Sequence, residues 1–181
     1  HRFSTAHIPS KPIPIEIAAA RKETYSKDSR KPNKVTYTNL EGDLLRRDFT
    51  VNAMAVDLLP DNFGNLYDPY NGLKDLLSKQ LITPMDPDET FSDDPVRMMR
   101  AAYFSSKLNL KIDNDCYESM LRQAGRIKIV SQERITTEFT KILSTEKPSV
   151  GLKILQEVGL MKHIFPEIHV MYGMEQTKEW K

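Results

Sequence analysis

Along residues 12–20, PIPIEIAAA, Ile13, Ile15 and Ile17 alternate with Pro14, Glu16 and Ala18. A period of two predicts a half-buried strand, with Glu16 on the face away from the isoleucines. The next stretch, 21–43, is polar and has no periodicity, which predicts a flexible loop. FTVNAMAVDLL, 49–59, then reads as a strand. PDNFGN, 60–65, supplies Pro and Gly punctuation for a turn into a short second strand ending at Tyr67.

After Tyr70 the period changes to that of helices. Asp94 followed by Pro95 predicts a helix start, and Val96, Met99 and Tyr103 give it an apolar stripe as far as about Lys107. Asp113 is placed to cap a second helix with Cys116, Tyr117, Met120 and Leu121 inward and Gly125 at its end. Ser131 is placed to cap a third with Ile135, Phe139 and Ile142 inward. A fourth, from about Pro148 to Val158, turns Ile154, Leu155 and Val158 inward and stops at Gly159. Strands first and helices afterwards predict an α+β fold with a soft boundary near residue 70.

Composition narrows the function without naming it. The chain has 181 residues, 39% hydrophobic and 28% charged, an ordinary globular balance. A chain of this size buries roughly 70% of its unfolded surface on folding. No apolar run approaches the ~20 residues that span a bilayer, and the start does not resemble a signal peptide, so the expected setting is cytoplasmic with no membrane partner. The single cysteine, Cys116, excludes an internal disulfide and a cysteine-clustered zinc site. The net charge is only +1, so any nucleic-acid contact has to come from local patches. One such patch is the stretch 21–34, where six Lys/Arg face two acids. Lys27, Arg30, Lys31 and Lys34 are its candidate RNA-phosphate contacts; a solvated loop is the alternative. The chain has no initiator Met and closes on TKEWK, which predicts a piece of a longer protein.

Two charged clusters carry candidate chemistry. In RRDFTVN, 46–52, the adjacent guanidiniums of Arg46 and Arg47 need carboxylates or phosphates, and the planar Arg fork suits phosphate oxygens. On an extended segment Asp48, Thr50 and Asn52 share one side and offer hydrogen bonds of the kind a ribose takes. Pairing of both arginines with Asp43 and Asp48 is the plain alternative. In SDDPVRMMR, 92–100, helical spacing puts Asp94, Arg97 and Arg100 on a side roughly opposite Val96, Met99 and Tyr103. A carboxylate beside a guanidinium matches the amine and ring nitrogen of cytosine or adenine, and repels the carbonyl and N–H of uracil or guanine. A helix cap at Asp94 paired with Arg97 is the alternative there. Asp86-Pro87-Asp88 and Asp113-Asn114-Asp115 read as helix-start chemistry rather than metal sites. The four histidines show no ligand spacing.

These stretches in order resemble the class II tRNA nucleotidyltransferases and bacterial poly(A) polymerases. EIAAARKETY (16–25) is similar to the strand and loop after that family's catalytic carboxylates, and RRDFTVNAMA (46–55) to its ribose and triphosphate motif. YDPYNGLKDL (67–76) is similar to its head-to-neck connector, and DDPVRMMRAAYF (93–104) to its base-reading motif, with Asp93 where Glu is usual. ERITTEFTKIL (133–143) resembles the next helical element and GLKILQEVGLMKHIFPEI (151–168) the start of the body.

The resemblance implies the trailing part of a nucleotidyltransferase head at 1–70, a helical neck at 71–145 and the start of a helical body at 146–181. It implies transfer of CMP and AMP from CTP and ATP to a tRNA 3′ end, with Mg²⁺ in the complete enzyme. Arg46 and Arg47 would hold triphosphate, Asp48 and Asn52 the ribose, Asp94 and Arg97 the base, with Arg100 in support. Glu16 would neighbour the metal. The family's Gly-rich loop and metal-binding carboxylate pair have no counterpart here, so the isolated piece is expected to be inactive. A poly(A) polymerase and a non-catalytic RNA-binding module are the alternatives.

Overall fold

The computed structural model describes residues 5–26 and 29–175, with backbone only for 23–26 and 29–34. Its first element is an antiparallel ribbon of β1 (Thr5–Ile8) and β2 (Ile15–Ala18), with Ile8 opposite Ile15 and His7 opposite Glu16. Glu16 does lie on the face away from Ile15 and Ile17, but the strand is not half-buried. Ile13, Ile15 and Ile17 are all exposed, because a two-stranded ribbon has no second layer of its own to cover a face.

The stretch predicted as a flexible loop has regular structure over its described residues. It forms a second antiparallel ribbon, β3 (Arg21–Ser26) with β4 (Ser29–Tyr37), irregular between Thr24 and Ser26, and then α1 (Leu40–Leu45). Thr24, Val35, Thr36 and Tyr37 supply strand propensity there without any apolar alternation, so a search for period two passes over them. Asn39 starts α1 by accepting from the Gly42 N–H at 2.9 Å.

The predicted strand at 49–59 is also corrected. Residues Thr50–Asn52 make a 3₁₀ turn and only β5 (Ala55–Val56) is extended, pairing with β6 (Leu66–Tyr67). Asp48 Oδ1 accepts from the Phe49 N–H at 3.0 Å and from Asn52 Nδ2 at 3.1 Å, which folds the segment over itself. Phe49 and Ala53 are fully buried as a result.

The connector becomes α2 (Gly72–Leu77), capped through Asp68, whose carboxylate accepts from the Gly72 and Leu73 N–H groups at 2.7 and 2.9 Å. Next come β7 (Gln80–Leu81), α3 (Pro87–Asp93) and α4 (Val96–Leu108). Asp86 caps α3 by accepting from the Asp88 and Glu89 N–H groups, so Asp86-Pro87-Asp88 is helix-start chemistry as expected. After α4, β8 (Lys111–Ile112) pairs in parallel with β7, and α5 (Asn114–Gln123) starts on Asp113. A 3₁₀ turn over Ala124–Ile129 leads into α6 (Gln132–Leu143), α7 (Pro148–Glu157), α8 (Met161–Ile164) and α9 (Pro166–Met171). Among the described residues no helix is long and apolar enough to cross a membrane.

The core is built around α4, which packs against both α6 and α7. Val96, Met98, Met99, Ala101 and Ala102 are buried there, in one cluster with Ile142, Leu155 and Phe49. The approach of α7 depends on Gly151: a Cβ at that position would fall 2.6 Å from Ser106 Oγ and 2.7 Å from Ile142 Cγ2. Burying Phe49 against α4 ties the 46–52 segment to the helical part, at about 25 cal/mol per Å² of apolar surface removed from water.

Candidate nucleotide-binding site

The two charged clusters meet in space. α1 delivers Arg46 and Arg47 at its C-terminal end, and Asp43, one turn earlier on the same helix, binds both. Arg46 Nη2 lies 2.6 Å from Asp43 Oδ1 and Arg47 Nη2 3.3 Å from Asp43 Oδ2. Arg46 Nε also donates to the Arg21 carbonyl at 2.8 Å, anchoring the guanidinium to the start of β3. Burial raises the Asp43 pKa. Hydrogen bonds from Arg46 and the Arg21 N–H, with the charges of Arg46 and Arg47, overcome that and hold its carboxyl below the ordinary value. Of the pairings weighed from the sequence, the one with Asp43 occurs and the one with Asp48 does not.

Asp48 pairs across the fold instead. Its Oδ2 lies 2.6 Å from both Nε and Nη2 of Arg100, one turn inside α4. Arg100 in turn lies over the Phe104 ring at 5.4 Å, and Phe104 packs edge-on against Phe49. Asp48 and Asn52 are therefore together, through the 3₁₀ turn rather than an extended strand. Thr50 is not with them: its hydroxyl donates to Asp75 Oδ2 at 2.7 Å, in the buried seam with α2.

Asp94 does not cap α4. Pro95 stands at the cap position, and the Asp94 side chain crosses to α6, where Arg134 grips it with Nη1 to Oδ1 at 3.0 Å and Nη2 to Oδ2 at 2.6 Å. The bidentate hold of Arg134, rather than the proline, takes this carboxylate from the helix start: Asp86, also followed by a proline, does cap α3. Nor does Arg97 pair with Asp93 or Asp94. Its Nη2 donates to the Arg46 carbonyl at 2.7 Å and its Nη1 to the Thr90 carbonyl at 3.3 Å. Both acceptors are neutral, and among the described residues no acid forms an ion pair with Arg97.

Four guanidiniums, of Arg46, Arg47, Arg100 and Arg134, share three carboxylates, of Asp43, Asp48 and Asp94, and Arg97 adds a fifth held by backbone carbonyls. These eight side chains together are net positive, which suits an anion. They also keep hydrogen-bonding capacity: each Asp94 oxygen has a second lone pair beyond the Arg134 contact, and two of the five Arg97 donors are used by the backbone. Arg134 was not singled out from the sequence. ERITTEFTKIL shows its place on a helix, but its partner lies forty residues away and only the α4–α6 packing brings them together.

Other candidates stand apart. Glu16 is exposed on β2, opposite His7, and among the described residues no three His, Cys, Asp or Glu side chains are grouped to hold a metal ion. Lys27 lies outside the described residues, and the side chains of Arg30, Lys31 and Lys34 on β4 do too. Cys116 is buried, which raises its thiol pKa and keeps it inert.

With this geometry in view, two family models match the chain: the poly(A) polymerase head domain over residues 1–82, and the probable RNA- and SrmB-binding site of polymerase A over 109–172. The chain belongs to the family of poly(A) polymerases and tRNA nucleotidyltransferases. Within that nucleotidyltransferase family it is 37% identical to a multifunctional CCA protein of Vibrio campbellii, over 78% of this chain and 34% of the relative. It is 36% identical to a CCA-adding enzyme of a Geobacillus species, over 84% and 37%. An A-adding tRNA nucleotidyltransferase of Aquifex aeolicus is 32% identical over 98% of the chain and 22% of the relative. The chain therefore spans between a fifth and two fifths of the length of these relatives. Among solved structures, the Bacillus stearothermophilus CCA-adding enzyme in complex with CTP superposes with a TM-score of 0.76 at 29% identity, covering 88% of this chain and 37% of that one. A tRNA nucleotidyltransferase complexed with a primer tRNA and an incoming ATP analog gives 0.74 at 26% identity, over 96% and 46%. The mixed fold of short strands followed by helices is that of the nucleotidyltransferase head and helical neck.

Proposed function

We propose that this chain is the nucleotide-selecting part of a template-independent RNA 3′-end nucleotidyltransferase, one that adds CMP and AMP from CTP and ATP to tRNA. The carrying observation is the contrast between Asp94 and Arg97. Arg134 fixes and neutralises the carboxylate, while the neighbouring guanidinium is tied only to backbone carbonyls and keeps its charge for a ligand. A base with an amine beside a ring acceptor satisfies Asp94 and Arg97 together. Arg46 and Arg47 stand next to Arg97 through the Arg46 carbonyl, where the triphosphate of the same nucleotide would lie, and the Asp48–Asn52 turn faces its ribose.

Under this reading residues 1–70 belong to the head, 71–145 to the neck and 146–181 to the body. The family implies Mg²⁺, yet the described residues offer no side-chain set that fits it, Glu16 included, so no step is assigned to the metal here. Addition of AMP alone is the second reading. It is favoured by the two poly(A) polymerase models and by the A-adding relative, which matches 98% of the chain.

Calorimetric titration of the 181-residue chain with the four nucleoside triphosphates tests the assignment. CTP and ATP should bind more tightly than UTP and GTP, each paired contact supplying ~1–3 kcal/mol of discrimination. Asp94→Ala should narrow that gap. Equal affinity for all four in the unaltered chain, or an unchanged gap in the variant, rules the assignment out; ATP tighter than CTP favours the second reading.

A further inference from the structure

α6 carries a buried carboxylate that the nucleotide site described above does not use. Ile135, Glu138 and Ile142 are the buried residues of this helix, which packs along α4. Arg134 meets Asp94 at the start of α4, and Ile142 stands with Ser106 near its end, where both close on Gly151. Glu138 comes between these two contacts. The buried side chains of α4 over that stretch, Met98, Met99, Ala101 and Ala102, have no polar hydrogen to donate.

Glu138 is only half satisfied. Lys141, one turn after it, donates to Oε1 at 2.7 Å, whereas Oε2 is buried and accepts no hydrogen bond. A buried acceptor left unpaired costs free energy that a second arrangement of the same side chains can recover. Residues four apart on a helix are neighbours, which puts Arg134 one turn before Glu138. The Arg134 side chain is about one-third exposed and so has room to turn, and Asp94 engages two of its five donors. One guanidinium thus serves two carboxylates.

We propose that Glu138 is a positioning residue for base selection: it draws one Nη group of Arg134 away from Asp94 when a base presents its amine, which then meets a charged Asp94 oxygen. The proposal rests on the nucleotidyltransferase reading above. In the structure both Asp94 oxygens are matched by Arg134. If the amine replaces one Nη group and that group turns to Glu138 Oε2, no buried carboxylate oxygen is left unpaired. The uracil carbonyl, standing where cytosine has its amine, offers no hydrogen, so UTP leaves Arg134 on Asp94. A ligand shifts two arrangements only by its differential affinity for them, and the amine supplies that difference.

Calorimetric titration of the 181-residue chain with CTP and UTP tests it, alongside two variants. Glu138→Gln keeps the shape and an acceptor for Lys141 but removes the charge that attracts Arg134, so the CTP-over-UTP ratio should fall about fivefold, through CTP. Lys141→Gln breaks the same ion pair from the other side and should leave the ratio within about twofold. A purely structural Glu138–Lys141 pair predicts equal losses in the two variants, for both nucleotides. A second readout needs no change at Glu138. In NMR of the unaltered chain the Nε–H resonance of Arg134, identified by its loss in Arg134→Lys, should move far more with CTP than with UTP. Equal movement, an unchanged ratio in Glu138→Gln, or the same fall in Lys141→Gln overturns the role of Glu138 and leaves the nucleotide site standing. An unaltered chain that does not prefer CTP to UTP overturns both.

Discussion

Arg134 and Asp94 meet fork to fork, at 3.0 and 2.6 Å, and so join the middle of the helical part to the junction between α3 and α4. Removing the arginine leaves a part-buried carboxylate three residues from Arg97, free to swing toward it. Arg134→Ala should therefore cost ~1–3 kcal/mol of stability and also narrow the CTP-over-UTP preference. Arg134→Lys keeps the charge without the fork and should recover more of the stability than of the preference. Thermal midpoints beside binding constants for both nucleotides check this. A lowered midpoint with an unaltered preference would make the pair purely structural.

The Asp48–Arg100 pair couples the 46–52 segment to α4 in the same way, with the carboxylate almost fully buried and the arginine about one-third exposed. A double-mutant cycle with Asp48→Asn and Arg100→Gln isolates the ion pair, since Asn keeps an oxygen for the Phe49 N–H. Urea unfolding of the four proteins should give a coupling of about 1–2 kcal/mol, between the values usual for exposed and for buried pairs. A coupling near zero would mean that the Phe49–Phe104 contact alone joins the two segments.

Much of this site was legible in the sequence, and the illegible parts have identifiable causes. Arg97 and Arg100 share a side of α4 through helical spacing, whereas Asp94 lies in extended backbone before the helix and is held by Arg134. Asp48 and Asn52 also come together, but through a 3₁₀ turn that the run FTVNAMAVDLL conceals: Val51, Ala53 and Val56 look like a strand, whereas the hydrogen bonds of Asp48 bend the chain. Arg134 was invisible because no local pattern encodes a partner forty residues away. The β3–β4 ribbon was missed for the opposite reason: backbone pairing holds it, with no apolar stripe to announce it.

Acid should loosen the arginine pair at the end of α1. The folded-state pKa of Asp43 lies below its ordinary value of 3.8, so its stabilising contribution is complete above about pH 4 and is lost as pH falls toward the lowered value. Asp43→Asn lacks that contribution at every pH. The stability difference between the unaltered chain and this variant should be constant from pH 7 to about 5 and shrink below 4. Chemical denaturation across that range reads it, and a gap that persists unchanged in acid would show that Asp43 acts through hydrogen bonds that survive protonation.

Of the glycines, Gly72 leaves the least room for a Cβ, and its replacement should be felt in the nucleotide strip. A Cβ there would overlap the Thr50 carbonyl oxygen, with the carbonyl carbon at 2.8 Å and Met54 Cγ at 2.9 Å. Neither side has room to yield. Thr50 is fixed by its N–H to the Ile82 carbonyl at 2.9 Å and its hydroxyl to Asp75, while α2 is fixed by the Asp68 cap. Gly72→Ala should therefore cost about 1–3 kcal/mol, the range for overpacking, and displace the 3₁₀ turn that holds Asp48 and Asn52. Affinity for CTP should fall with it. Gly125→Ala is the matched control: its Cβ meets only the edge of His163 at 3.7 Å, so stability should stay within ~0.5 kcal/mol and CTP affinity should not change. Equal losses in the two variants would trace the effect to glycine replacement in general, whereas a loss confined to Gly72→Ala would show that the seam between α2 and the 50–52 turn sets the geometry of the nucleotide strip.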